Sequence, residues 1–292
     1  MFKNIYKFNT KPKRVLILGA SGFIAKSLTK TLIKNQVNYL AISQKKIDLT
    51  LKESIKKLKQ IVLKDDIIIF ISAKAPVKNI KMFNYNVKMM SNFLESMTNH
   101  QENHVIYISS DAVYKDKKTS INETSLALPS SLHGIMHLTR ELLLKSSFKN
   151  LCILRPTLIY GSLDPHNGYG PNQFIRLAKK NLDIKLFGSG EERRDHVWIE
   201  DVTLIIYKAI SFKSIGILNI ATGKVNSFYD IAKKIIKITK SKSKIITTKR
   251  IGSMPHNGYR PFNSNLTYKN YNNFKYADLF LKIKAIHKKY II

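Results

Sequence analysis

A single cysteine leaves this chain no means of closing an internal disulfide, and its position, Cys152 inside the apolar run Leu151 to Leu154, reads as that of a small buried hydrophobe. Long hydrophobic runs are also missing. No stretch approaches the roughly 20 uninterrupted apolar residues that a membrane span needs, and Met1 to Arg14 has Lys and Asn scattered where a signal sequence would carry its apolar core. A cytoplasmic protein with no membrane partner is expected. Acidic residues are few: 19 Asp and Glu stand against 50 Lys and Arg, a net charge of +31. Such a balance favours nucleic acid, an anionic membrane or a phosphorylated substrate. Yet the lysines come in ones and twos along the whole chain, and arginine, the residue suited to bidentate base and phosphate contacts, is scarce. Dispersed lysine is usually solvated surface, which argues against nucleic acid as a partner.

What is present is 292 residues with 44% apolar content, enough for one large domain or for a nucleotide-binding domain with a smaller lobe. Extended and helical patterns alternate from the start. Arg14 to Leu18 is a short apolar run ending at Gly19, Ile24 to Ile33 has helical spacing, and Tyr39 to Ser43 is again extended. The alternation continues through helix Lys52 to Leu63, strand Ile67 to Ser72, helix Met82 to Met97, strand Val105 to Ser109, helix Leu132 to Ser147 and strand Leu151 to Leu154. Near-continuous apolar strands such as Ile67 to Ile71 fit a parallel sheet covered on both faces. After Pro156 the texture changes, with a Gly, Pro and Asn cluster from Gly161 to Asn172 that reads as a loop. The expected fold is α/β: a Rossmann-like doubly wound parallel sheet over residues 1–160, then a smaller interleaved lobe over 161–292 from which the stretch around 196–225 returns to the sheet.

Between the first strand and the first helix lies Gly19-Ala20-Ser21-Gly22-Phe23-Ile24-Ala25. Gly19 permits the tight turn, Gly22 lets the backbone approach a pyrophosphate, and the helix amino end supplies oriented N–H donors. Ala25 stands at the third glycine position, whose task is close helix packing. Together with the polar Asp48-Leu49-Thr50 after the second strand, this placement implies a bound dinucleotide, NAD or NADP. NAD-specific sites usually hold an acidic residue at the end of the second strand. Here Ser43-Gln44-Lys45-Lys46 stands there, so NADP is expected to be tolerated and even preferred.

Four motifs in order carry a resemblance to the NAD-dependent epimerase/dehydratase family, the extended short-chain dehydrogenase/reductases that include UDP-glucose 4-epimerase-like proteins. The glycine turn resembles the family's GxxGFIG. Ile108-Ser109-Ser110-Asp111-Ala112-Val113-Tyr114 resembles SS-x-x-VYG, and Leu154-Arg155-Pro156-Thr157-Leu158-Ile159-Tyr160-Gly161 resembles LRP-x-x-x-YG. Leu186-Phe187-Gly188-Ser189-Gly190, followed by Arg193-Arg194-Asp195-His196-Val197-Trp198-Ile199-Glu200-Asp201-Val202, resembles FG-x-G-x-x-RDFVYVEDV. The resemblance implies cofactor contacts at Gly19, Ser21, Gly22, Phe23, Ile24, Ser43, Asp48, Leu49, Ala73, Asn86, His137 and Pro156, and a nucleotide-diphosphate sugar as substrate, its phosphates held by Arg194 and Arg260. It also implies a homodimer through the helices Met82 to Met97 and Leu132 to Ser147.

By the same resemblance Ser110 is the hydroxyl that meets the reacting sugar oxygen; a plain turn cap is the other reading of a serine at that place. A 4,6-dehydratase pairs an Asp with a Glu there. Asp111 matches and Ala112 does not, so a dehydratase lacks its proton abstractor, and epimerisation or carbonyl reduction is expected. Where the family has Tyr-x-x-x-Lys, this sequence has His133-Gly134-Ile135-Met136-His137. An imidazole with a pKa near 6.5 needs no help to exchange protons at neutral pH, and residues i and i+4 share a helix face, so His133 and His137 can enter one cleft as acid/base and ribose-binding groups. Three rivals stand beside that reading: a non-catalytic nucleotide-binding protein, a metal site on His-x3-His, and two surface histidines. No metal is expected, because no further ligand has recognisable spacing.

Overall fold

The structure is a computed structural model, and it describes residues 1–162, 164–165 and 167–289. Residues 163 and 166, inside the stretch read as a loop over 161–172, lie outside the described residues. The first half runs β1 (Lys3–Asn4), β2 (Arg14–Leu18), α1 (Phe23–Lys34), β3 (Tyr39–Ile42), α2 (Glu53–Ile61), β4 (Asp66–Phe70), α3 (Ile80–Ser96), β5 (His104–Ile108), a 3₁₀ turn (Asp111–Val113), α4 (Leu132–Ser147) and β6 (Leu151–Pro156). The second half runs β7 (Leu158–Tyr160), α5 (Pro171–Lys179), β8 (Ile184–Phe187), β9 (Arg193–Trp198), α6 (Ile199–Ser211), β10 (Ser214–Ile220), β11 (Val225–Ser227), α7 (Phe228–Thr239), β12 (Ile245–Thr248), β13 (Tyr259–Arg260), α8 (Asn265–Asn270) and α9 (Leu279–Lys289).

Seven strands form the main sheet in the order β1-β10-β6-β5-β4-β2-β3, all parallel except β1. Strands such as β4, Asp-Ile-Ile-Ile-Phe, are apolar along their length because both faces are covered. On one face α1 packs Ala25, Leu28 and Leu32 against Val202, Ile205 and Ile206 of α6. On the other, Leu58 of α2, Phe93 of α3 and Leu144 of α4 close a second core. The chain leaves β2 for β3 on one side and later returns to β4 on the other, so the crevice at the carboxyl ends of β2 and β4 is where such a sheet takes its ligand.

Several boundaries differ from the sequence reading, each for a local reason. Asn79 caps α3 through an Oδ1 bond from the Met82 N–H, so that helix starts at Ile80. Pro171 opens α5 at the edge of the Gly/Pro/Asn cluster, because a proline at the first helical turn gives up an N–H that has no partner there. Beyond β6 the chain builds small sheets, β11-β9-β13 with β7 and the pair β12-β8, while β10 rejoins the main sheet beside β6.

Candidate active site

At the end of β2 the chain turns at Gly19 with φ +106, and a Cβ there would stand 2.8 Å from the Ser72 backbone nitrogen. Only glycine fits this close approach. Gly22 precedes α1, whose first turn has neither a side-chain cap nor an acidic residue, so its orphan N–H groups are left to face an anion. A cavity of about 530 Å³ opens on this turn. Its lining includes Gly19, Ser21 and Gly22 from the turn, Ser43, Asp48 and Leu49 from beyond the next strand, and Ala73. These are the surroundings a dinucleotide requires: a glycine turn that a Cβ would fill, a helix start without a side-chain cap, and a polar stretch of lining.

One sequence expectation changes here. The Asp48 carboxylate lines the same cavity as Ser43, accepting from Gln44 Nε2 (2.9 Å), the Thr50 N–H (2.8 Å) and Thr50 Oγ1 (2.7 Å). The Gln44 hydrogen bond, opposed by burial and aided by Thr50, holds its pKa below the usual carboxylate value. Lys45 and Lys46 are exposed and form no part of the lining. A carboxylate is therefore present at this end, and the lysines invoked for a 2′-phosphate are outside it.

A second cavity, of about 660 Å³, shares Gly22, Ile71 and Ala73 with the lining of the first. Phe23, Ile24, Pro156, Ser110, Asp111, His133 and His137 all line it. Ser110 is cap and cavity residue at once, since its Oγ accepts from the Ala112 N–H at 3.1 Å. The preceding Ser109 donates to Glu141 Oε1 at 2.6 Å, and Arg155 grips the same carboxylate, so β5, β6 and α4 are bolted together under the site. At Gly134 a Cβ would meet the Ala112 carbonyl oxygen at 2.1 Å, which is how α4 comes so close to the turn bearing Ser110.

His133 and His137 face each other edge to face with ring centroids 4.7 Å apart. Burial pushes both pKa values down. For His137 the neighbouring His133 and Arg140 add to the effect, while for His133 the Asp111 charge opposes it. Both are neutral imidazoles near pH 7. His133 Nδ1 accepts from the Val77 N–H at 3.4 Å, which in the neutral ring puts the proton on Nε2; the bond is at the long end of the useful range. His137 is buried, with Nδ1 2.7 Å from the Tyr107 hydroxyl.

Two other expected contacts are not where the sequence put them. Asn86 is fully buried, accepting from the Lys74 N–H (3.0 Å) and donating to the Lys74 (3.0 Å) and Met82 (2.8 Å) carbonyls. It lines neither cavity; it shapes the loop whose Ala73, Ala75 and Pro76 do. Arg260 is 1% exposed, with Nε donating to the Asp111 carboxylate (3.1 Å), Nη2 to the Asp111 carbonyl (2.6 Å) and Nη1 to Asp116. It has no free edge for phosphate, because carboxylates within its own fold already occupy the fork. Arg194 does line the cavity, beside Glu192 (3.2 Å) and Asp111 (3.7 Å). Sequence reasoning missed Tyr107, Gly134 and the His256–Asp116 pair (2.6 Å), whose partners lie 140 positions apart and leave no spacing signal. Among the described residues no group of three or more His, Cys, Asp or Glu is arranged to hold a metal, and no helix is long and apolar enough to cross a membrane.

The model of the NAD dependent epimerase/dehydratase family matches residues 15–221, from β2 to the end of β10. The chain belongs to this family. Among relatives of this family member, the dTDP-D-glucose 4,6-dehydratase of Dictyostelium discoideum is 28% identical over 275 residues, covering 78% of this chain. The chain spans about 62% of that relative's length. Solved structures share the family member's fold: the UDP-glucose 4-epimerase of Thermus thermophilus in complex with NAD superimposes with a TM-score of 0.82 at 19% identity, covering 95% of this chain and 99% of the other. The dTDP-4-dehydrorhamnose reductase of Bacillus anthracis in complex with NADP gives 0.79 at 20% identity, with the same coverage of both chains.

Proposed function

We propose that this chain is an NAD(P)-dependent enzyme that exchanges a hydride at a sugar carbon of a nucleotide-diphosphate sugar, acting as an epimerase. The observation that supports the reading is that the cavity at the glycine turn and the cavity lined by Ser110, His133 and His137 are adjacent, with Gly22, Ile71 and Ala73 lining both. A bound nicotinamide dinucleotide supplies the hydride exchange. Gly19, Ser21 and Gly22 hold its phosphates, Asp48 and Leu49 its far end, and His137 its ribose. Ser110 donates to the sugar oxygen and fixes its place; Arg194 faces the sugar's phosphates. With such a dinucleotide bound, His133 would be the group that takes the sugar hydroxyl proton and gives it back. To accept that proton the ring must turn its lone pair from Val77 to the cavity, and the 3.4 Å contact is a weak restraint.

Carbonyl reduction is the second reading. It is favoured by the proton that His133 already carries on the nitrogen away from Val77, a donor suited to a carbonyl oxygen that receives hydride. Dehydration is disfavoured by Ala112, which leaves Asp111 without a second carboxylate beside it. We also read α3 and α4 as the faces of a homodimer.

The test is a panel of UDP-, dTDP- and GDP-sugars followed by single-turnover nicotinamide absorbance. His133→Ala is expected to lower kcat by about a hundredfold while leaving cofactor affinity nearly intact. A base must be neutral, and the folded-state pKa of His133 is depressed, so the wild-type rate should rise with pH through a value below 6.5. Equal rates for wild type and His133→Ala would remove His133 from the chemistry. Turnover only by the double variant His133→Tyr/His137→Lys would establish a protein that has lost its activity.

A further inference from the structure

We propose that Tyr107 is a positioning residue that fixes the tautomer of His137, so that the imidazole presents Nε2–H, a hydrogen-bond donor, to the cavity; the inference builds on the reading that His137 contacts the bound cofactor. A neutral imidazole donates from one nitrogen only, and which one is decided by what the other nitrogen meets. His137 Nδ1 is 2.7 Å from the Tyr107 hydroxyl, so its other edge serves the cavity that it lines.

The direction of the Tyr107–His137 bond follows from the proton inventory. Tyr107 is 1% exposed, and burial pushes its phenol far above its ordinary pKa, so the hydroxyl keeps its proton and must place it. Among the described residues, His137 Nδ1 is the acceptor within hydrogen-bonding distance. The other group against this hydroxyl is the Arg140 guanidinium, which has donors and no acceptor. If Nδ1 carried the imidazole proton, it would point at the phenol oxygen, and the phenol's own proton would lose the acceptor within reach and be stranded in a buried site. With the proton on Nε2, the phenol keeps its acceptor and the Nε2–H is left for the cavity that His137 lines.

Arg140 is itself aimed by acceptors: Nε and Nη2 donate to the Asn86 carbonyl (3.0 and 2.6 Å) and Nη1 to that of Ser72 (2.8 Å). The guanidinium is thus held by backbone carbonyls, and the donor chain that reaches the cavity runs from the phenol through the imidazole. A role for Tyr107 as simple core filling makes a different prediction. Its ring packs 6.1 Å from Phe70 and 5.9 Å from His137, and phenylalanine would preserve that packing.

The test is the two-bond ¹H–¹⁵N correlation pattern of the histidine rings of the full chain at pH 7.5, with His137 assigned by its loss in His137→Gln. Wild type is expected to show Nε2–H in at least about tenfold excess, and Tyr107→Phe a mixture of tautomers, with folding checked by thermal melting. Calorimetry should show NAD(H) binding about tenfold weaker in Tyr107→Phe. An Nδ1–H or doubly protonated His137 in wild type overturns the proposal without any variant. An unchanged pattern in Tyr107→Phe overturns it too. A shifted tautomer with unchanged cofactor affinity upholds Tyr107 and overturns the cofactor contact read for His137.

Discussion

Asp111 stands between two arginines, and the structure gives them opposite tasks: Arg260 is locked beneath it, and Arg194 remains beside the cavity. Both had the same aspect in the sequence, because a motif records residue type and spacing but not which donors the fold has already consumed. The histidine pair was legible, since an i, i+4 relation is a property of one helix. Its partners were not, since Tyr107 and Val77 lie 30 and 56 positions away. Gly134 is a similar case, an ordinary helix residue until the Ala112 carbonyl is seen against it. Helix propensity alone favours Ala over Gly by about 1 kcal/mol in a helix. Here the Cβ would fall 2.1 Å from backbone oxygen and 2.6 Å from Pro129 Cβ, so overpacking decides the sign. Gly134→Ala is expected to cost about 1–3 kcal/mol in urea unfolding and to lower kcat more than it raises the cofactor KM, because the displaced turn carries Ser110. A gain in stability would refute this account.

Among elements, the first half was easier to read than the second. Buried parallel strands and amphipathic helices have their own periods, and α4 begins and ends where its spacing predicts. Strands β7 to β9 and β11 to β13 have two to six residues and draw their stability from partners far along the chain, so no local pattern declares them. Asp195 shows what joins these pieces. From β9 its Oδ1 accepts from the Thr222 N–H (3.1 Å), Thr222 Oγ1 (3.0 Å) and Thr157 Oγ1 (3.2 Å), and its Oδ2 from the Gly223 N–H (2.8 Å), which ties the small sheet to the ends of β6 and β10. Burial pushes this carboxyl up to about 6 against the pull of those four donors. Asp195→Ala would strand them, and a loss of about 3 kcal/mol is expected at pH 7.5 by chemical denaturation. The folded state holds the Asp195 proton more tightly than an ordinary carboxyl. Its contribution to stability should therefore fall as pH rises from about 4 to 6, a slope that Asp195→Ala removes.

For the whole molecule, charge and shape pull in different directions. A net charge of +31 opposes self-association, whereas α4, one of the two helices read as the dimer face, exposes Ile135 and Leu142. Light scattering at micromolar protein in about 0.15 M salt, where the Debye length is about 8 Å, should give twice 33.5 kDa. The variant Ile135→Glu/Leu142→Glu should halve that mass, and a monomeric wild type would remove the dimer. The return of β10 to the main sheet has a consequence for how the chain is made. Strands β2 to β6 can assemble as they leave the ribosome, but β6 then presents an unpaired edge until residues 214–220 follow it, with all of β7 to α6 synthesised between. Pauses in translation within that interval would prolong the exposure of the sticky apolar run Leu151 to Leu154 to its neighbours on the polysome.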